Sequence, residues 1–191
     1  MSDRAPDLIQ PVIGFRLWRL DEGALWSLYA DERWGRGRQT ARCLAPDGPQ
    51  HTGPSPAHFC TCGIYAWYRT CPRLASAGTP ELVGGAVVLW GRMELHPTGM
   101  RAEQAMVVAL ALPFSRRAKR ARILDVAAAL EVEAVPARHL AAAAGQYGAP
   151  VPRELKPGQL HDRRAASARR GAGGGWVGGR SATGQPGWWP G

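Results

Sequence analysis

The chain has 191 residues, of which 45% are hydrophobic, and this suits one domain of the usual ~100–200 residues with a core of its own. Its formal net charge of +9 divides into +1 for residues 1–112, +3 for residues 113–152 and +5 for residues 153–191, so attraction to polyanions is expected from the C-terminal third. Residues 1–12 do not read as a signal sequence and no apolar run is long enough to span a membrane, which predicts a cytoplasmic protein with no membrane partner.

The first third of the chain is dominated by β patterns. Residues 12–29 place two β-rich runs around Asp21-Glu22-Gly23, which predicts a hairpin. Residues 34–44 are expected to continue as an irregular segment and a third strand. Proline and glycine dominate residues 46–56 and predict a loop. Residues 63–68 fit either a strand or a helical turn.

All four cysteines and two of the five histidines lie between residues 43 and 71, at Cys43, His51, His58, Cys60, Cys62 and Cys71. Thiolates and imidazoles crowded into a short irregular loop favour a tetrahedral structural zinc site. A reducing cytoplasm favours metal ligands over disulfides. The alternatives are buried thiols without metal and a redox or nucleophilic cysteine.

The spacing of these residues indicates which of them share the ion. Cys60 and Cys62 are separated by one residue, so their thiolates can share one ion. Cys43 can reach the same ion across the Pro/Gly loop. His51 ranks first as the fourth ligand because it lies in the loop that must close over Cys43. His58 and Cys71 are the alternative fourth ligands.

A second hairpin is predicted from residues 82–95 and 100–112, whose apolar and β-branched runs flank a turn at residues 96–99. Strict alternation along it sets Glu94 opposite Arg101 and Arg92 opposite Glu103. Exposed pairs of this kind contribute only ~0.2–1 kcal/mol each, so the pattern favours a solvated structural face. The alternative is a ligand-contacting patch with Trp90 as its platform, formed by Trp90, Arg92, Glu94, His96, Arg101 and Glu103.

Helical patterns follow Pro113. Apolar residues repeat at helical spacing from Ile123 to Leu130, and an alanine-rich stretch over residues 137–147 predicts a second helix. The expected fold is therefore α+β, with a β-rich N-terminal sheet or partial barrel of hairpins followed by two helices. One domain would cover residues 12–150.

Two basic segments lie in the C-terminal third. One has five cations in seven residues, which suit either a solvated helix entry or phosphate binding, at Arg116, Arg117, Lys119, Arg120 and Arg122. The other is the tail, residues 151–191, where Gly, Pro, Arg and Trp predominate and no periodic apolar face occurs, which predicts disorder.

Three motifs together resemble a family of small bacterial proteins, mainly actinobacterial, with no known activity. They are the CxCGIYA element at residues 60–66, preceded by a cysteine and a histidine, the LWGR strand at residues 89–92 and the RAE element at residues 101–103. The resemblance covers about residues 12–112. It implies a shared fold and a metal site.

These patterns predict a non-enzymatic, zinc-stabilised module that binds another macromolecule. The first alternative is a nucleic-acid-associated accessory protein that uses the arginine-rich stretch and the tail. The second alternative is an enzyme that uses the cysteine loop, although no reaction or substrate follows from the sequence.

Overall fold

The computed structural model describes residues 10–44, 50–70 and 81–157, all within the unit Met1–Pro157. Nine strands and two α-helices occur in these ranges, which confirms the α+β class. In chain order they are β1 (Val12–Asp21), β2 (Ala24–Trp26), β3 (Arg33–Trp34), β4 (Arg38–Thr40), β5 (Ile64–Trp67), β6 (Leu82–Leu95), β7 (Gly99–Leu112), α1 (Arg117–Leu130), β8 (Glu133–Pro136), α2 (Leu140–Ala144) and β9 (Ala149–Pro150).

The long hairpin of β6 and β7 is the centre of the sheet. Strand β1 pairs antiparallel with β6 along eight residue pairs, while β5 pairs with the start of β7 and meets β1 at Phe15 and Trp67. The pairings β1–β6–β7–β5–β1 therefore form a closed circuit, as expected of a partial barrel. Both predicted hairpins are present, and the undecided segment after the cysteine pair is strand β5.

Both faces of this sheet are covered by apolar side chains. Along β1, Trp18 and Leu20 join one core cluster, whereas Phe15 and Leu17 join the other, because alternate residues point to opposite faces. Helix α1 packs on the first cluster and α2 on the second. The helical periodicity that predicted α1 reflects this burial, since its core-facing side chains are Ile123, Val126, Ala127 and Leu130.

A β-bulge shifts the pairing register predicted for the second hairpin. Glu94 is opposite Arg101 as expected, but the register shifts between Met93 and Trp90, so that Trp90 pairs with Gln104. Gly91 adopts φ +77 there, in the left-handed region that glycine tolerates best. The same prediction placed Leu89, Met93 and Leu95 on one face of β6, and all three pack on the first core cluster, whereas Trp90 packs on the second.

The domain boundary predicted at residue 150 is too early. Strand β9 pairs parallel with the start of β1, Val151 is buried, and a 3₁₀ turn follows at Arg153–Leu155. The parallel strands β8 and β9 were not predicted, because each is short and carries no alternating pattern. The rest of the predicted disordered tail, residues 158–191, lies outside the described residues.

Candidate metal centre

Two strands that pair with the same edge of β7 bring the cysteine loop together. Strand β4 pairs with residues 104–106 of β7 and β5 pairs with residues 99–102, both antiparallel. The end of β4 therefore meets the beginning of β5. Cys43 follows the first strand by three residues and Cys62 precedes the second by two, so the sheet brings the ligand atoms of these two cysteines within 4.8 Å of each other.

Four side chains converge at this junction: Cys43, His51, Cys60 and Cys62. Their potential ligand atoms all lie within 4.8 Å of one another. The Sγ atoms of Cys43 and Cys60 are 3.6 Å apart, and Nε2 of His51 is 3.2 Å from Sγ of Cys62. These are the residues ranked first from the sequence, and they lie close enough to hold one metal ion.

The His51 ring is oriented for coordination through Nε2. Its other nitrogen, Nδ1, is 3.1 Å from the carbonyl oxygen of Gly53. When Nδ1 carries the proton and donates it to this carbonyl, the lone pair of Nε2 points toward the thiols. Metal-binding histidines are commonly fixed in this way by a hydrogen bond from their second nitrogen.

The two alternative fourth ligands differ in status. His58 is exposed and is not among the four residues whose ligand atoms converge. Cys71 lies outside the described residues. Of the histidines in the loop, the structure therefore brings His51 to the thiols and leaves His58 at the surface.

The thiols are shielded from solvent to different degrees. Cys62 is buried, and its Sγ accepts a hydrogen bond from the Ala57 N–H at 3.5 Å. Burial raises the pKa of the Cys60 thiol, and the neighbouring Cys43 and Cys62 raise it further. Without a cation Cys60 therefore favours the protonated thiol, whereas a bound metal would stabilise its thiolate instead.

Arg101 fastens the loop to the sheet. Its guanidinium donates to the backbone carbonyls of Cys60, Cys62 and Ala57, the last two at 3.0 and 3.3 Å. It also forms an ion pair with Glu94 at 2.5 Å. Only 4% of Arg101 is exposed, so the expectation of an exposed, solvated pair is wrong.

The segment around Cys60 and Cys62 has further local restraints. Gly63 adopts φ +129, and a Cβ atom there would lie 3.1 Å from Cβ of Arg101 and 3.3 Å from Cβ of Pro56. A larger residue would be strained in this conformation and would press on the arginine. Tyr65 Oη donates to the carbonyl of Thr61 at 2.5 Å. The turn is thus fixed from both sides.

The remaining residues of the predicted polar face differ in their contacts. The backbone N–H of Arg92 donates to the Glu103 carboxylate at 3.0 Å, in place of the predicted pairing of the two side chains. Trp90 packs on the second core cluster. His96 is part-buried, and burial lowers the pKa of its imidazole.

The five cations of the basic stretch differ in burial and in their contacts. Arg116 precedes α1, and the other four lie in its first two turns. Lys119 is buried, and this burial lowers the pKa of its ammonium group, while Arg122 donates to the Leu20 carbonyl at 3.0 Å. Arg116, Arg117 and Arg120 are exposed, and none of the three belongs to an ion pair among the described residues.

Comparison with protein-family models, with curated proteins and with solved structures finds no match for this chain. None of the helices in the described ranges has the length and apolar character that crossing a membrane would require.

Sequence reasoning missed one buried polar network near the site. Arg16 donates to the Tyr65 carbonyl at 2.8 Å and to the Ser27 hydroxyl at 3.2 Å, and Trp34 Nε1 donates to the same hydroxyl at 2.9 Å. Burial lowers the pKa of Arg16 to about 10, which leaves it protonated at neutral pH. Its position in an apolar strand was the available signal, because an arginine there needs buried acceptors.

Proposed function

We propose that this protein is a zinc-stabilised binding module, in which the metal has a structural role and the folded surface binds another macromolecule. The observation that carries the proposal is the convergence of three thiols and one imidazole from separate parts of one loop. This loop needs a source of stability other than apolar burial, since most of its residues from 50 to 61 are exposed or part-buried.

The separations support zinc. Zn–S bonds of about 2.3 Å and Zn–N bonds of about 2.0–2.1 Å give tetrahedral edges of about 3.8 Å between sulfurs and about 3.6 Å between sulfur and nitrogen. The corresponding separations here are 3.6 Å between Cys43 and Cys60 and 3.2 Å between His51 and Cys62. Soft thiolates with one imidazole are a donor set that selects zinc over magnesium or calcium.

The number of ligands supports a structural role over a catalytic one. Catalytic zinc sites generally use three protein ligands and leave a fourth position for water or substrate. Here four protein atoms lie within 4.8 Å of one another, enough to fill a tetrahedral shell without water. We therefore infer that the ion holds the loop against β5 and β7 and does not activate a substrate.

An aromatic side chain beside the cysteine pair supports the binding part of the proposal. Phe59 directly precedes Cys60 and is 82% exposed, with its ring centroid 5.5 Å from that of His51. A large apolar side chain held at the surface is a common anchor in protein interfaces. Metal binding would fix the position of Phe59 through Cys60, which follows it in the chain, and through the His51 ring, which it contacts.

The zinc proposal is tested by measuring metal per chain in freshly purified full-length protein, with His51→Ala compared with His58→Ala. We expect about one zinc ion per wild-type chain, because four protein ligands complete one tetrahedral site. His51→Ala should lose most of it under dialysis, whereas His58→Ala should retain it. Equal retention by both variants, or wild-type protein without zinc, would refute the assignment.

A second candidate function, nucleic-acid binding, is favoured by the basic end of α1. Three exposed arginines there lie beside Phe114, which is fully exposed. Arginines can neutralise phosphates while an aromatic ring stacks on a base, as in single-stranded nucleic-acid binding. The residues that would carry this function are Phe114, Arg116, Arg117 and Arg120.

The test is the salt dependence of binding to a fluorescent single-stranded oligonucleotide. The triple change Arg116→Gln, Arg117→Gln and Arg120→Gln should weaken binding and reduce the salt slope by about 2–3, because each phosphate contact contributes about 0.7–0.9. A matched control removes three exposed arginines of the strands, Arg19, Arg38 and Arg92. Equal losses in the two triple variants would indicate non-specific charge attraction and rule out this surface.

A further inference from the structure

We infer that Arg101 is a positioning residue of the metal centre, which sets the geometry of the Cys60 and Cys62 thiolates through their backbone carbonyls. The inference rests on the proposed zinc site and extends it beyond the four ligands. Arg101 lies on β7, outside the cysteine loop, and belongs to the sheet.

The arginine contacts the backbone on both sides of Thr61. One Nη atom donates to the carbonyls of Cys60 and Cys62, and the other donates to the Ala57 carbonyl and the Glu94 carboxylate. Ala57 in turn accepts from the N–H of Cys60 at 3.0 Å and donates its own N–H to the Cys62 sulfur. The guanidinium therefore fixes the peptide units from which two of the three thiols project.

A planar guanidinium is needed for this arrangement. It presents donors in a fixed fork, so that one group reaches three carbonyls and a carboxylate at once. A lysine ammonium at the same position could approach some of these acceptors but not hold all four in one plane. Glu94, directly opposite Arg101 in the hairpin, orients the fork from the other side.

Charge balance adds to the geometric argument. Zinc with three thiolates and a neutral imidazole carries one net negative charge. The cation of Arg101 is buried beside this centre, where screening by water is weak. Loss of an outer partner of this kind typically weakens metal binding by about 10- to 100-fold.

The inference is tested with full-length protein by competing zinc against a chromophoric chelator, and by recording the visible spectrum of the cobalt(II)-substituted site. Arg101→Lys should lower zinc affinity by about 10- to 100-fold and shift the cobalt bands, since the thiolates are no longer held in place. Arg92→Lys is the matched control, because Arg92 is an exposed arginine of the same hairpin. It should behave as wild type.

Glu94→Gln is a second variant, and it tests the positioning role of Arg101 if Arg101→Lys does not fold. It keeps the shape of the side chain, removes its charge, and should lower zinc affinity in the same direction by a smaller factor. Wild-type affinity and cobalt spectrum in the folded Arg101 variant, or in Glu94→Gln if that variant alone folds, would overturn the inference. Absence of zinc binding by the wild type would instead refute the proposed function itself, and the inference with it.

Discussion

The cysteine loop and the sheet with its helices are stabilised in different ways. In the sheet, long strands bury apolar side chains on both faces, and residues such as Leu89, Leu110, Ile123 and Leu140 are fully buried. In the loop, residues 50–62 bury little apolar surface and are held by the contacts of Arg101 and by the convergence of ligand atoms. One chain thus combines a core stabilised by burial with a loop that burial does not stabilise, and under the proposed function a bound ion would order that loop.

This difference arises because the hydrophobic effect scales with buried apolar area, at roughly 25 cal/mol per Å². A loop rich in proline, glycine and polar residues has little such area to bury. The proposed metal would supply the missing free energy, since binding to a site absent from the unfolded chain adds directly to folding. The two regions should therefore respond to different perturbations.

Removing the metal should give the largest effect, and it should be confined to the loop. After chelation, backbone amides of residues 50–62 should lose most of their protection from hydrogen exchange, while those of β6 and β7 keep it. Exchange measured by mass spectrometry on metal-loaded and chelated protein checks this. Loss of protection throughout the sheet would show that the regions are not separable, and unchanged protection in the loop would show that no metal orders it.

Truncating a core residue should destabilise the whole fold and leave the metal bound. Ile123→Ala removes a fully buried side chain of α1 and should lower the free energy of unfolding by about 2–5 kcal/mol, with zinc content unchanged. Leu124→Ala is the matched control, since Leu124 is 45% exposed on the same helix and should cost much less. Chemical denaturation of metal-loaded protein provides the measurement. Equal losses in the two variants would contradict the assigned packing of α1.

A polar contact within the core should have a smaller effect. Ser27→Ala removes the hydroxyl that accepts from Arg16 and Trp34, and leaves two buried donors to find other partners. We expect a loss of about 1–3 kcal/mol, again without loss of zinc. Ser115→Ala, at an exposed position, should be nearly neutral. If denaturation shows the two serines to be equivalent, the buried network does not contribute to stability.

The smallest expected effect is the contribution of Tyr68 to stability at alkaline pH. Burial raises the pKa of Tyr68 to about 12, so the folded state holds this proton more tightly than the unfolded state, where the pKa is about 10. The stability that this proton provides is complete below about pH 10 and is lost as pH rises toward 12. Tyr68→Phe should flatten the decline in denaturation midpoint between about pH 10 and about pH 12. Tyr147→Phe should retain the wild-type decline.

The convergence of Cys43, His51, Cys60 and Cys62 could be predicted from the sequence because its signal is local. Cys60 and Cys62 are separated by one residue, and His51 and Cys43 lie in the adjacent loop that must close over them. The two hairpins were predictable for a similar reason, since turn residues and β-branched runs are read from short windows.

Features that depend on distant contacts could not be predicted. Arg101 and Glu94 were recognised as opposite each other, but their burial depends on the loop that packs against them, some 40 residues earlier in the chain. The bulge at Gly91 shifts the register by one residue, and a single glycine in a strand does not show that a bulge occurs. Strands β8 and β9 form only by parallel pairing with residues far away.

The ligand set of the metal is the most direct test of the central claim, and X-ray absorption at the zinc edge of full-length protein measures it. The account predicts about three sulfur ligands near 2.3 Å and one nitrogen ligand near 2.0–2.1 Å, with no coordinated water. Such a spectrum would match Cys43, Cys60, Cys62 and His51 as the four ligands. A shell with two or fewer sulfurs, or with an oxygen from solvent, would contradict the proposed closed structural site.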